Sequence, residues 1–216
     1  MSDTSTLVTA AHFEYVAAHT TGDDDFLRQL KEAARAAGLP SIWIAPEQAA
    51  FMQILLRLVH AREVIEVGTL AGYSAIWMAR SLPAGGCVRT IELDTGHAAF
   101  AREWIGRSDV AEKIELYQGA GAEVLPKFAD QSADAAFLDA DKSSYQIYLR
   151  EALRIVRRGG LIMVDNAFAF GQLLSDQPTD RDVPAVRAFN EYMSTVTQIQ
   201  SVIVPIGDGL WVGVKL

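Results

Sequence analysis

Short apolar runs alternate with longer amphipathic segments from Glu63 to about residue 165, and this alternation is the strongest pattern in the chain. The apolar runs are EVIEVG, CVRTIEL, KIELYQG, ADAAFLD and GLIMVD, and helical spacing of apolar positions follows each of the first four. Runs with few polar interruptions are typical of parallel strands that helices cover on both faces. The pattern therefore predicts a doubly wound α/β sheet.

The first sixty residues have a helical pattern. Three acidic residues, Asp23 to Asp25, precede apolar positions at helical spacing that end at Gly38, and Pro46 begins a second helix. The expected packing face of this second helix consists of Phe51, Leu55, Leu58 and Val59. Between the two helices, LPSIWIA is apolar but too short for a helix, so it predicts a lid or an edge.

The C-terminal segment departs from the alternation. After a helical stretch, PAVRAFNEYMSTV, two strand-like runs are joined by Gly207-Asp208-Gly209, which is typical of an antiparallel hairpin. No repeat or linker interrupts the chain. We therefore expect one domain over residues 1–216, with a helical N-terminal cap over 1–61 and an α/β core over 62–216.

Composition and charge narrow the class of protein. Half of the 216 residues are apolar and 21% are charged, which is typical of globular proteins. The net charge of −8 gives little support to a nucleic-acid or anionic-lipid surface. A single cysteine excludes an internal disulfide, the start lacks a secretory signal pattern, and no apolar run approaches a membrane span. We expect a cytoplasmic protein with a small-molecule partner and neither nucleic-acid nor membrane binding.

A glycine turn follows the first predicted strand and leads into a helix. Gly68 and Gly72, in EVGTLAGYS, allow a tight turn and the close approach of a ligand to the backbone. The spacing lacks the middle glycine of the dinucleotide fingerprint, which argues against NAD. Taken alone, the turn is equally well explained as a simple strand-to-helix connection.

The second predicted strand ends at Glu92, where a carboxylate can accept hydrogen bonds from both hydroxyls of a ribose. Together with the glycine turn, this position implies a ligand that contains ribose. The alternative is a solvated acid at the end of a strand. No arginine stands beside Glu92 to receive a 2′-phosphate, which disfavours NADP.

Oxygen-bearing side chains follow the fourth and fifth predicted strands. Asp139 lies in LDADK, and Asp165 and Asn166 lie in VDN. Carboxylate and amide oxygens without histidine or thiolate are the ligands preferred by a hard cation such as Mg²⁺ or Ca²⁺. The alternative is that Asp165 and Asn166 only shape a turn.

Aromatic and histidine side chains give weaker signals. Trp77 and Trp104 lie on predicted helix faces and are expected in the core. Trp43, Phe168, Phe170 and Trp211 are equally well explained as borders of an aromatic acceptor or as packing residues. The histidines, His97 among them, occur singly and without metal-site spacing, so we expect them to be solvated or packed.

These motifs together resemble the cation-dependent, S-adenosylmethionine-dependent O-methyltransferases, the family that includes catechol and caffeoyl-CoA O-methyltransferases. The resemblance extends from about Ser41 to the C-terminus through EVGTLAGYS, TIELD, LDADKSSY, GGLIMVDN and PIGDGLWVGVKL. LDADK with VDN is its specific part. The resemblance implies a class I methyltransferase fold: a Rossmann-like, doubly wound sheet, mostly parallel, with a C-terminal antiparallel hairpin and preceding N-terminal helices.

The resemblance also implies roles for individual residues. The cofactor is expected to contact Glu66, Gly68, Tyr73, Ser74 and Glu92 through its methionine and ribose moieties, Gly119 and Ala120 through its adenine, and Asp139. A divalent cation, Mg²⁺ in preference to Ca²⁺ or Mn²⁺, is expected on Asp139, Asp165 and Asn166. Lys142 falls where the family has its general base, with Asp139 as its catalytic neighbour. The chain has Ala169 where plant enzymes carry a tryptophan, so plant substrate specificity does not follow.

The implied reaction transfers a methyl group from S-adenosylmethionine to a hydroxyl of a small vicinal dihydroxy phenol. Such a diol chelates a cation through both oxygens, and the cation lowers the pKa of the attacking hydroxyl. We also expect a homodimer. Two alternatives stay open: an NAD-dependent oxidoreductase, which Glu92 favours, and a cofactor-binding protein without catalysis, which the intact LDADK and VDN residues oppose.

Overall fold

The computed structural model describes residues 8–216 and has one seven-stranded sheet at its centre. Residues 1–7 of the expected N-terminal cap lie outside the described residues. The strands are β1 (Glu63–Val67), β2 (Cys87–Glu92), β3 (Ile114–Gln118), β4 (Ala133–Leu138), β5 (Val156–Val164), β6 (Ile199–Val204) and β7 (Leu210–Lys215).

The strand order is β3-β2-β1-β4-β5-β7-β6. The pairs among β1 to β5 are parallel, whereas β7 runs antiparallel to both β5 and β6. The order reverses between β1 and β4, which is the point where doubly wound sheets bind ligands beside the carboxyl ends of their strands. The expected sheet, mostly parallel with an antiparallel C-terminal hairpin, is confirmed.

Eight α-helices surround the sheet in the described part of the chain. They are α1 (Ala10–His19), α2 (Asp25–Ala36), α3 (Pro46–Leu58), α4 (Tyr73–Ser81), α5 (Thr95–Gly106), α6 (Gly121–Val124), α7 (Tyr145–Ile155) and α8 (Val183–Thr195). The expected N-terminal helices are therefore confirmed. Among residues 8–216, none of the helices is both long and apolar enough to cross a membrane.

The central strands are buried on both faces, as their uninterrupted apolar runs predict. Phe137 packs into a cluster with α2, α3, α4 and α5, whereas its neighbour Leu138 packs into a second cluster with α7 and α8. The helices α2 and α3 of the expected cap thus share the core of the sheet. This shared core supports our proposal that residues 1–216 form one domain.

The predicted packing face of α3 is confirmed in part. Phe51, Leu55 and Val59 are partly buried against the core, but Leu58 is 70% exposed. The most buried side chains lie on the neighbouring stripe, at Glu47, Gln48, Ala49, Met52 and Leu56. The helix is apolar on most sides, so its pattern allowed two stripes. The burial of Gln48 was not predictable from the sequence, because a buried polar side chain requires a hydrogen-bond partner and only the fold shows which residue provides it.

Candidate active site

A cavity of about 680 Å³ lies at the carboxyl ends of β1, β2 and β4, beside the reversal in strand order. Several of the predicted site residues line it: Gly68, Tyr73, Ser74, Glu92, Gly119, Ala120, Asp139, Lys142 and Asn166. Glu66 and Asp165 are not among the residues that line it. The structure thus brings residues from five strand ends, those of β1 to β5, to one pocket.

The turn after β1 requires glycine at Gly68 for a steric reason. Gly68 has a φ of +102°, and a Cβ atom there would lie 1.8 Å from the carbonyl oxygen of Asp139. The amide of Asp139 in turn donates a hydrogen bond to the carbonyl of Val67, at 2.9 Å. The ends of β1 and β4 therefore meet backbone to backbone, which places Asp139 beside the glycine turn.

Glu92 holds the glycine turn as well as lining the pocket. Its Oε2 accepts hydrogen bonds from the amides of Leu70, at 2.8 Å, and Thr69, at 3.2 Å. Its Oε1 accepts from the amide of Asp94, at 2.9 Å. Backbone groups thus use three of the roughly four acceptor positions of the carboxylate. This supporting role was missed in the sequence, because the backbone partners become apparent only in the fold.

Glu66 lies behind the wall of the pocket. Its side chain is fully buried and accepts hydrogen bonds from the hydroxyls of Ser74 and Thr90. Burial raises the pKa of Glu66 to about 7, although the two hydroxyl donors oppose the shift. Ser74, which lines the pocket, therefore stands between Glu66 and any ligand there.

Tyr73 connects the pocket to the N-terminal helices. Its hydroxyl donates to Asp23 Oδ1 at 2.6 Å, and the Lys31 ammonium lies 4.0 Å from its ring centroid. Lys31 also pairs with Asp23 Oδ2 at 2.7 Å. Asp23 was expected at a helix start, but Asp24 is the N-cap of α2 and accepts from the amide of Leu27. Asp23 therefore serves a tertiary contact instead.

The turn after β3 forms the far wall of the pocket. Gly119 donates its amide to the carbonyl of Glu92 at 2.8 Å, and Gly119 and Ala120 line the cavity as expected for an adenine site. A Cβ atom on the next residue, Gly121, would lie 2.7 Å from Val67 Cγ1 and 2.8 Å from the Tyr148 ring. The close packing at Gly121 thus fixes the start of α6 against β1.

Each member of the predicted oxygen cluster has one hydrogen-bond partner among the described side chains. Lys142 Nζ donates to Asp139 Oδ1 at 3.0 Å, and Gln48 Nε2 donates to Asp165 Oδ1 at 2.8 Å. The amide nitrogen of Asn166 donates to Asp208 Oδ2 at 3.1 Å. These bonds leave Oδ2 of both aspartates and Oδ1 of Asn166 without a hydrogen bond from another described side chain.

The chemistry of this cluster fits a hard divalent cation. Burial raises the pKa of Asp165 well above its usual range, and the negative charge of Asp139 adds to the shift, while the Gln48 hydrogen bond opposes it. A cation offsets the repulsion between two such carboxylates. Among residues 8–216 no group of three or more His, Cys, Asp and Glu side chains could hold a metal. A site at this place would have two carboxylates, Asp139 and Asp165, with the amide oxygen of Asn166 as a third oxygen donor.

Lys142 is buried between two acceptors. Besides Asp139, its Nζ donates to the hydroxyl of Tyr145 at 2.6 Å, and it lies 6.0 Å from the centroid of the Phe170 ring. The Tyr145 hydroxyl donates onward to the carbonyl of Asp165 at 3.3 Å. Tyr145 was not assigned a role from the sequence, although its position three residues after Lys142 in a helical segment was a signal for such a contact.

The aromatic residues divide between pocket and packing. Trp43 and Phe170 line the cavity. Trp211, in contrast, donates to Asn190 Oδ1 at 2.7 Å, and Phe168 packs against Gly209. Trp77 and Trp104 are buried in the core, as expected.

One of the histidines, His97, lines the cavity. Its Nδ1 lies 3.7 Å from Glu92 Oε1.

Comparison with solved structures identifies the fold. An O-methyltransferase from Bacillus cereus, solved in complex with S-adenosylhomocysteine, superimposes with a TM-score of 0.85 at 30% sequence identity. The match covers 95% of this chain and 97% of the Bacillus chain. The fold is therefore the methyltransferase fold that the sequence motifs implied.

Comparison of sequences identifies the family. A family model described as O-methyltransferase matches residues 17–216. A catechol O-methyltransferase from Niastella koreensis is 37% identical over 196 residues, covering 89% of this chain and 86% of that protein. One from Mycobacterium tuberculosis is 39% identical over 166 residues, covering 77% and 75%.

The chain belongs to the O-methyltransferase family, and it is an S-adenosylmethionine-dependent O-methyltransferase. This result confirms the resemblance found in the motifs and excludes the oxidoreductase and non-catalytic alternatives.

Proposed function

We propose that this enzyme methylates one hydroxyl of a small, catechol-like acceptor with the help of a divalent cation, Mg²⁺ in preference to Ca²⁺ or Mn²⁺. The observation that carries the proposal is the cluster of Asp139, Asp165 and Asn166 beside Lys142. Asp139, Lys142 and Asn166 line the same cavity as the glycine turn and Glu92, and Asp165 lies behind its wall. An O-methyltransferase that needed only to bind its cofactor would not require a buried acid, Asp165, beside a second, partly buried acid, Asp139, at this place.

We assign one end of the cavity to the cofactor. Gly68, Ser74 and Glu92 are proposed to hold its methionine and ribose moieties, and Gly119 and Ala120 its adenine. Tyr73 lines this end as well and is held by Asp23, whereas Glu66 supports it from behind the wall through Ser74. The Bacillus cereus relative, solved in complex with S-adenosylhomocysteine, supports a cofactor of this kind.

We assign the part of the cavity next to Asp139 and Lys142 to the acceptor and the cation. Asp139, Asp165 and Asn166 would hold the cation, which when bound lowers the pKa of a chelated hydroxyl. Lys142 Nζ, placed between Asp139 and Tyr145, would take the hydroxyl proton. Phe170 and Trp43 provide apolar walls for a flat ring. Relatives named catechol O-methyltransferases, at 37% and 39% identity, favour a vicinal diol.

Transfer of a labelled methyl group tests this proposal. The protein is incubated with labelled S-adenosylmethionine and either a catechol or the matched monophenol, with chelator and then with excess Mg²⁺. We expect labelled catechol only when Mg²⁺ is present and little labelled monophenol, because a single hydroxyl cannot chelate. Methylation of catechol at the full rate in chelator would contradict the role of the cation.

The variants Asp139→Ala and Asp165→Ala extend this test, because each removes one charged ligand. Both should behave like chelator-treated protein and should not recover in Mg²⁺. Asp176→Ala, in the exposed loop after β5, is the matched control and should retain activity.

We also propose a homodimer, with a cytoplasmic location as expected from the sequence. The observation that supports the dimer is apolar exposure: Ile42 before the sheet is 68% exposed, and Val202 of the hairpin is 59% exposed. Closed twofold pairs are the commonest oligomers of soluble proteins. Light scattering at micromolar concentration should give a mass near twice 23.5 kDa, and a mass near that of one chain would contradict the proposal.

A further inference from the structure

The turn of the C-terminal hairpin contacts the loop that follows β5. Asp208, the middle residue of Gly207-Asp208-Gly209, accepts hydrogen bonds at Oδ2 from Asn166 Nδ2, at 3.1 Å, and from the amide of Phe170, at 2.7 Å. Its Oδ1 accepts from the amide of Gly171, at 3.1 Å. One carboxylate thus binds both ends of the loop 166–171.

The loop 166–171 has an unfavourable backbone. Asn166, Ala169 and Phe170 all have positive φ angles, of 62°, 52° and 60°. Residues other than glycine rarely adopt positive φ angles, and they keep them only where the surrounding structure enforces the conformation. The three hydrogen bonds to Asp208 provide part of this enforcement, together with backbone bonds from Ala167 to Gly209 and from Phe168 to Asp208, both 2.8 Å.

The glycines beside Asp208 allow the hairpin turn to lie this close. A Cβ atom on Gly207 would lie 2.0 Å from Gln48 Oε1, and one on Gly209 would lie 2.8 Å from the Phe168 ring. Gln48 is the residue that holds Asp165. The turn therefore packs against Gln48, the partner of Asp165, while its own Asp208 is the partner of Asn166.

We propose that Asp208 is a positioning residue that acts on both the cation and the acceptor. By accepting from the amide nitrogen of Asn166, it turns the Asn166 oxygen away from itself and toward the cluster. By accepting from the Phe170 amide, it fixes the Phe170 ring at the wall of the cavity beside Lys142. The inference rests on the proposed function, since it takes Asn166 as a cation ligand.

The conservative variant Asp208→Asn tests the inference, with Mn²⁺ titrated by calorimetry as the probe and no acceptor present. An asparagine keeps the size of the side chain but offers one acceptor oxygen to three N–H donors. Loss of the partner that orients a metal ligand typically weakens metal affinity 10- to 100-fold, and we expect a loss in that range. Affinity for S-adenosylhomocysteine should stay within about twofold of the parent, because Asp208 does not contact the residues assigned to the cofactor. The KM for catechol should rise.

A double-mutant cycle separates positioning from general destabilisation. In an Asn166→Ala background, Asp208→Asn should not weaken Mn²⁺ further, because the ligand that it orients is gone. Asp176→Asn removes the same charge from the exposed loop and serves as the control, with Mn²⁺ affinity equal to the parent. If Asp208→Asn and the control bind Mn²⁺ equally well, the inference is wrong and the cation proposal stands. The same holds if Asp208→Asn weakens Mn²⁺ binding as much in the Asn166→Ala background as in the parent. Failure of the parent to bind Mn²⁺ overturns the cation proposal and this inference together.

Discussion

Gly68 and Asp139 are in contact through their backbones: a single methyl group on Gly68 would lie 1.8 Å from the Asp139 carbonyl oxygen. The contact joins the turn proposed for the cofactor to the first acid proposed for the cation. A change in one backbone therefore displaces the other.

Gly68→Ala should destabilise the fold and weaken cofactor binding together. The variant adds a clash to a φ of +102°, which alanine rarely adopts, and we expect a loss on the order of 3 kcal/mol in the free energy of unfolding. Denaturation in urea and calorimetry with S-adenosylhomocysteine measure the two effects. Gly22→Ala, where a Cβ atom meets nothing within 4 Å, should change stability by no more than about 0.5 kcal/mol. Parent-like stability of Gly68→Ala would show that β1 and β4 are not held at this distance.

Glu92→Ala should weaken binding of S-adenosylhomocysteine by about 2 kcal/mol or more, roughly 30-fold. The variant removes the proposed ribose acceptor and also the partner of the Thr69 and Leu70 amides. Glu92→Gln keeps one acceptor oxygen and should lose less. Calorimetry decides the matter, and NAD should give no heat with any of the proteins. An unchanged affinity in Glu92→Ala would remove Glu92 from the cofactor site.

The strands were predictable because burial on both faces requires an apolar run with few polar residues, as in ADAAFLD for β4. The acids at the strand ends could also be found, because parallel strands bring their carboxyl ends to one edge. Partners distant in sequence were not predictable. Asp208 is explained in the sequence as a turn residue between two glycines, and only the fold reveals that the same carboxylate binds Asn166. The buried stripe of α3 was missed for the same reason, because the partner of Gln48 is Asp165.

Stability should fall with rising pH because of Glu66. Burial raises its pKa from 4.5 to about 7, so the folded state binds this proton more tightly than the unfolded state. The free energy of unfolding therefore decreases as the pH rises from about 4.5 to about 7. Glu66→Gln removes this titration and should reduce the decrease by an amount on the order of 3 kcal/mol.

Urea denaturation at pH 5 and pH 8 measures the contribution of Glu66. Asp165 shifts in the same direction, so the decrease should become smaller in Glu66→Gln without disappearing. Glu112→Gln, at an exposed acid, is the control and should keep the pH dependence of the parent. A Glu66→Gln variant with the same dependence as the parent would show that Glu66 is ionised throughout this range.

Lys142→Ala should keep cofactor affinity and lower kcat by roughly the 10²- to 10⁴-fold typical of a lost general base. Lys142 Nζ is held at 3.0 Å from Asp139 and 2.6 Å from the Tyr145 hydroxyl, in the cavity and beside Phe170. Because the methyl group on a sulfonium is already electrophilic, the protein must chiefly supply a deprotonated oxygen in line with the S–CH₃ bond. Removing the base therefore affects the chemical step more than binding. Lys127→Ala, at an exposed lysine, is the matched control.

The Lys142 measurement has to be made where chemistry limits turnover, which single-turnover transfer from labelled S-adenosylmethionine ensures. A catechol made more acidic by an electron-withdrawing group should lose less rate in Lys142→Ala, because its hydroxyl needs the base less. A rate equal to that of the parent, or an equal loss for acidic and ordinary catechols, would mean that Lys142 only holds Asp139 in place. In that case Lys142→Arg, which keeps the charge beside Asp139, should restore the rate. If Lys142 is instead the proton acceptor, Lys142→Arg should stay slow, because arginine stays protonated.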